Sequence, residues 1–203
     1  MQFDRNKLKT VILHVCKTCP PDRLGAVKFH KILYFLDMLR YIEAGQSVTG
    51  CTYSKRPFGP TSDQLLRTLK DMARDGEISE RQVDYHGFIK REYLGLKEPE
   101  MFRLNDEERA LLDDVMHFVC LENSARTISE LSHNRPWEMV EFGEQISYRS
   151  AFMLIPSQVS QEAFDTVEQG ASEIAAAQSA NDTVAPVAFA AFRSRVLAEL
   201  GQG

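Results

Sequence analysis

The chain has 203 residues, 43% hydrophobic and 26% charged, a composition that suits one main soluble domain with an appendage or two small ones. Its net charge of −5 argues against sequence-independent nucleic-acid binding, which draws on many Lys and Arg contacts to phosphate. No apolar run approaches the roughly 20 residues that span a bilayer, and the N-terminal MQFDRNKLKTVILHV lacks an apolar core followed by a small-residue cleavage site. A cytoplasmic protein without membrane contact is the expectation.

Leu8, Val11, Ile12 and Val15 recur at helical spacing and predict a first helix that ends at Pro20-Pro21. A second runs from about Leu24 to Glu43. Its middle, Ile32 to Leu39, is apolar almost all round, which predicts burial on most sides and a central strut. Gly45 closes it, where a positive φ is wanted. The β-branched and aromatic SVTGCTYSKRPFG predicts a short strand and a loop.

In that loop Pro57 removes a donor and pushes Arg56 toward extended backbone, Gly59 permits a sharp turn, and Pro60 precedes a helix from Thr61 to Ala73. Thr61 and Gln64 match a capping box. The half from Phe58 onward thus reads as a stiff corner, and the half from Tyr53 to Arg56 as the place for an exposed site. Two strands around His86-Gly87 follow, and helix plus ribbon together resemble a winged helix in pattern. Asn105 and Glu108 predict a capped helix with an acidic first turn. SARTISELSHNRPWEM predicts a short helix, a break at Pro136 and a turn carrying Trp137. Beyond Tyr148 the chain turns Ala- and Ser-rich, with helices expected at about 160–178 and 187–200. The division expected is a domain at 1–150 and a helical arm at 151–203.

Chemistry-bearing motifs are sparse. GxGxxG, Walker A, GxSxG and HExxH are all absent. Cys16 and Cys19 form a lone CxxC without a second ligand pair for zinc or the βαβ context of a thioredoxin, so free thiols are expected and no metal or cofactor. His30 sits beside the apolar run and reads as a packed core histidine. His133 would need a nucleophile and an orienting acid to serve as a base, and no enzyme is expected. Lys28, Lys31, Lys55, Arg56, Lys90 and Arg91 would form a basic patch if their elements packed together, although Lys and Arg at ribbon and loop edges also serve solubility.

KFHKILYFLDMLRYIEAGQSVTGCTYSKRPFGPTSDQL resembles the signature of the Panacea domain, the SocA-like antitoxin family of bacteria and phages. The matching positions are Lys28, Lys31, Ile32, Leu33 and Tyr34, then Gly45, Val48, Thr49 and Gly50, then Gly59 and Pro60. A second signature is similar to ISELSHNRPWEM, with Leu131, Ser132, His133 and Trp137. The family's Gly-Pro-Val is Gly-Pro-Thr here, and the tail beyond Tyr148 has no counterpart in it. The elements read along the chain make a mainly α fold with a small β-ribbon (α+β) around a central buried helix. The resemblance implies a non-enzymatic antitoxin that binds a cognate protein toxin, with delivery to an ATP-dependent protease as a second step known in the family. A forgiving surface with a few aromatic or Arg anchors would carry the binding, and Tyr53, Lys55, Arg56, Phe58 and Trp137 are the candidates. The rival reading is a DNA-binding regulator using the helix–ribbon with Lys90 and Arg91.

Overall fold

The computed structural model describes residues 1–85, 87–154 and 187–200. Helix α1 (Arg5–Thr18) starts where the Asp4 carboxylate accepts from the Asn6 and Lys7 amides, both at 2.9 Å. Its stripe of Leu8, Val11, Ile12, Val15 and Cys16 is buried, and it stops before Pro20 as the spacing predicts. Helix α2 (Ala26–Ala44) is the strut: the twelve residues from Lys28 to Leu39 are all buried. Gly45 ends it at φ +67 and donates to the Tyr41 carbonyl.

Strand β1 is only Tyr53–Ser54. It pairs antiparallel with β4 (Gln145–Ile146), and Ser54 also bridges to Thr61. Helix α3 (Asp63–Arg74) feeds the ribbon β2 (Ile78–Tyr85) and β3 (Phe88–Gly95), paired from Ile78↔Gly95 to Tyr85↔Phe88. Ile78 and Tyr93 anchor the ribbon in the core, with Tyr93 edge-on to Phe29. Helix α4 (Asp106–His117) has the expected capping box, with Asn105 and Glu108 satisfying each other's amides. It runs into a π-helical turn, Phe118–Glu122. Helices α5 (Ala125–Leu131) and α6 (Arg135–Glu138) follow, and a 3-10 stretch covers Tyr148–Leu154. Pro136 does not break a helix. It lies in the first turn of α6, where its missing N–H costs nothing.

Helix α7 (Val187–Leu200) lies on the core, with Phe192 packed against Phe35 and Phe118 at 4.9 and 5.7 Å between ring centres. The helix expected at about 160–178 lies outside the described residues. The fold is mainly helical with small antiparallel β elements, as read from the sequence.

One start differs from expectation. The cap of α3 is Ser62, whose hydroxyl accepts from the Leu65 amide. Thr61 is unavailable as a cap because its backbone pairs with Ser54 in both directions. Gln64 turns away to accept from the Thr52 amide at 2.8 Å and the Thr52 hydroxyl at 3.0 Å.

A buried carboxylate organises the far side of α2. Asp37 is fully buried and accepts from the Thr49 amide (2.8 Å), the Thr49 hydroxyl (2.5 Å), the Tyr53 hydroxyl (2.7 Å) and the Tyr148 hydroxyl (3.2 Å). Burial pushes the acid's pKa up, and these donors oppose that shift. The Thr-Gly of the loop is explained by this site. Thr49 closes onto Asp37, and Gly50 has φ +68 with the Gln2 backbone where a Cβ would stand.

Asp37→Ala should strand the Thr49 amide and hydroxyl, while Tyr53 and Tyr148 keep the Leu33 and Cys51 carbonyls as acceptors. Urea denaturation is expected to show a loss of about 3 kcal/mol or more, since each orphaned buried donor costs about 1–3 kcal/mol.

Candidate functional site

The corner Arg56–Pro60 contains two prolines, so it has five carbonyls but only three amides. Chain turning this sharply cannot satisfy those acceptors within itself, and the surplus must be met by side chains. Four of the five carbonyls are met by hydrogen bonds. The Trp137 indole donates to Arg56 O at 3.2 Å, beside the Gly59 amide at 2.9 Å. Pro57 O has the His133 ring beside it, and that carbonyl opposes the fall in the histidine's pKa. Ser129 Oγ donates to Phe58 O at 3.1 Å, Thr61 Oγ1 to Gly59 O at 3.2 Å, and Lys31 Nζ to Pro60 O at 3.1 Å. Donors come from α2 on one side and from α5 and α6 on the other. Tyr34 ties those two sides together through Asn134, at 3.2 Å.

Gly59 sits at the centre with φ +89. A Cβ there would fall on the Ser132 hydroxyl and 2.5 Å from Lys31 Nζ. Lys31 is 1% exposed, and burial lowers its pKa to about 7. Next to it His30 accepts from the Ser62 amide through Nδ1, and burial, then the Lys31 charge, lowers it to about 4. It is the packed, hydrogen-bonded core histidine expected. His133 stacks on Trp137 at 4.1 Å, its pKa lowered chiefly by burial. Its neighbour Ser132 spends its hydroxyl on Ser129 O at 2.6 Å. This chemistry holds backbone in place.

With its carbonyl turned inward, Phe58 points its ring out and is 71% exposed. Around the corner lie half-buried Trp137, Phe142 at 63% and Met139 at 54% exposure, with Phe142 edge-on to Trp137 at 5.8 Å. Lys55 lies under them. Its ammonium is 4.2 Å from the Trp137 ring centre and 5.1 Å from that of Phe142, and donates to Val140 O at 2.8 Å.

The expected candidates therefore divide. Phe58 and Arg56 are exposed and Trp137 is half-buried at the same face. Tyr53 is a core residue, 1% exposed, with its hydroxyl on Leu33 O and Asp37, and Lys55 is buried as a carbonyl clamp. The exposed site expected over Tyr53 to Arg56 narrows to Arg56: in an extended strand one face must enter the core, and Tyr53 and Lys55 share it. Phe142 and Met139 went unread because they fall in an acidic, Gly-bounded turn with no periodicity.

The basic patch does not assemble. Lys28, Lys31 and Lys55 are buried on the carbonyls of Cys120, Pro60 and Val140. On the ribbon Lys90 pairs with Glu92 and reaches the Pro21 and Asp22 carbonyls, while Arg91 pairs with Glu80 and Arg81 with Glu92. Among the described residues no group of three or more His, Cys, Asp or Glu could hold a metal ion, and no helix is long and apolar enough to cross a membrane.

Comparison with known families gives one match: the model described as antitoxin SocA-like, Panacea domain, over residues 29–138. That span runs from α2 through Glu138 and so contains both sides of the corner. No curated protein and no solved structure matches the chain.

Gly59→Ala should lose about 2–4 kcal/mol of stability in urea, combining a left-handed backbone with overpacking. Lys31 gives a second test, by pH. Its folded pKa lies below its unfolded value, so between about pH 7 and 10 the unfolded chain binds more protons. Stability should therefore rise with pH in that window relative to Lys31→Met, by about 1–4 kcal/mol in total.

Proposed function

The chain belongs to the SocA-like antitoxin, Panacea-domain family, and on that premise we propose that it neutralises a cognate protein toxin by direct binding through the face that displays Phe58. The observation that carries this reading is the exposed Phe58 ring on a backbone held by hydrogen bonds to four of its five carbonyls. Large apolar side chains at the centre of a surface dominate protein–protein binding, and a rigid support spares the entropy of ordering it. Phe58, Trp137, Phe142 and Met139 supply the apolar centre, and Arg56 with Arg135 and Glu138 supplies a polar rim. Occlusion of the toxin's active surface is the mechanism this face supports, and the chain acts as a non-catalytic binding protein.

A DNA-binding role for the helix–ribbon has less behind it. The basic residues of the ribbon, Arg81, Lys90 and Arg91, are matched by Glu80, Asp84 and Glu92 and are engaged with two of them.

The test is co-expression with the product of the adjacent reading frame. A toxic product should be rendered harmless and should co-purify. Phe58→Ala should weaken that complex about 30-fold or more without moving the melting temperature, the signature of a surface anchor worth 2 kcal/mol or more. Absence of both rescue and a complex would remove the antitoxin reading; a complex indifferent to Phe58→Ala would remove this face from it.

A further inference from the structure

The pairing of β1 with β4 leaves one edge open. Strand β1 is the middle member: the Ser54 backbone exchanges hydrogen bonds with Thr61 on one side, at 2.9 and 3.1 Å, and β4 lies on the other. The Lys55 amide donates to Glu144 O at 2.9 Å. Antiparallel pairing alternates, so Ile146 again faces β1, opposite Tyr53, while Gln145 between them turns its N–H and C=O outward. No described residue takes the Gln145 backbone groups or the Ser147 amide, and both residues are exposed. Such an edge is a template for a further strand.

The edge borders a cleft of about 550 Å³, inside the range of roughly 300–1,000 Å³ common to binding clefts. Gln145, Ser147, Tyr148 and Arg149 line it, with Tyr41 and Gly45 from the end of α2. Its aromatic wall is fixed. Tyr148 donates to Cys51 O at 2.6 Å, and its ring centre lies 5.6 Å from that of Tyr41. Arg149 is the only charged side chain among the described lining residues. It is exposed, and its guanidinium makes no ion pair or hydrogen bond with a described residue. The ribbon arginines Arg81 and Arg91, by contrast, are paired with Glu92 and Glu80. An open strand edge and a cation without a carboxylate thus share one cleft.

We propose that the outer edge of β4 is a docking site for an extended acidic segment of a partner protein. The segment adds as a strand. The Gln145 N–H and C=O and the Ser147 N–H each take one of its main-chain groups, and a side-chain carboxylate reaches Arg149. Main-chain bonds supply the affinity, and the carboxylate on the guanidinium supplies the selection. Apolar side chains of the segment lie against Tyr41 and Tyr148. Charge decides the occupant. A second copy of Gln145–Arg149 brings the same cation and no acid, and a small anion satisfies Arg149 but leaves the edge unpaired. None of these residues belongs to the Phe58 face, so the two surfaces stand or fall separately.

Random heptapeptides displayed on phage are selected on the full chain, and an enriched peptide is synthesised and titrated into the isotope-labelled protein. Enriched peptides should carry Asp or Glu, and binding should protect the Gln145 and Ser147 amides from hydrogen exchange. Free acetate should not reproduce that protection. Arg149→Glu should weaken the peptide about tenfold or more at an unchanged melting temperature. Gln145→Pro removes one outward amide and no bond to β1, and should weaken it too. Enrichment without an acid, protection elsewhere on the surface, protection by acetate alone, a complex indifferent to Arg149→Glu, or no enrichment would each overturn the proposal. Self-association of the chain through these two amides would do the same. The amide map of the unsubstituted protein decides it even if a variant fails to fold.

Discussion

The constraint on which the structure turns is a shortage of backbone donors. Pro57 and Pro60 leave the corner Arg56–Pro60 with more acceptors than its own chain can serve. A buried carbonyl without a partner costs about as much as a lost hydrogen bond. Trp137, Ser129, Thr61 and Lys31 meet most of that demand. Three of those four donors are drawn from segments far away in sequence, so the corner can form only when α2 and the α5–α6 region have closed on it. This accounts for two sequence signatures some 80 residues apart: they are the two halves of one clamp. Gly59 is required because the clamp leaves no room for a Cβ.

The same logic governs α2. A helix buried along twelve residues has no solvent to receive its polar side chains. Lys28, Lys31 and Asp37 are therefore spent on neighbouring chain: Lys28 on Cys120 O, Lys31 on Pro60 O, Asp37 on Thr49 and two tyrosines. Leucines in their place would bury more apolar surface and would remain indifferent to which loop packed where. Buried polar groups with fixed partners specify one arrangement, since every alternative leaves a charge or dipole unpaired. On this view α2 sets the register of the Thr49–Gly50 loop on one side and of the Gly59–Pro60 corner on the other.

What the sequence made visible was local. Asn105 with Glu108, Gly45 after α2 and the ribbon around Gly87 depend on residues within a few positions of each other. Features that failed depend on distant partners. Thr61 and Gln64 have the spacing of a capping box, but Ser54 takes the backbone of one and Thr52 the side chain of the other. Tyr53 looked like a surface anchor until Asp37 and Leu33 O claimed its hydroxyl. The lysines read as a patch because sequence gives charge without direction; their carbonyl partners appear only on folding. The aromatic face was half visible, through Phe58 and Trp137, because the prolines pointed to the loop and the signature to the tryptophan. Phe142 joins it through β4 pairing with β1, a contact across about 90 residues.

These donors also fix what the corner can present. Turning Phe58 O toward Ser129 leaves its ring facing out, and the extended strand before it has already sent Tyr53 and Lys55 inward. The Lys55 ammonium then underlies Trp137 and Phe142 from below, so a cation held on a carbonyl supports the rings beside the core contact that Trp137 makes. A partner that covers Phe58 meets a surface with few degrees of freedom left to lose. The exposed aromatic ring and the buried lysines are thus one arrangement: the clamp that holds the proline corner is what makes its outward aromatic side chain rigid.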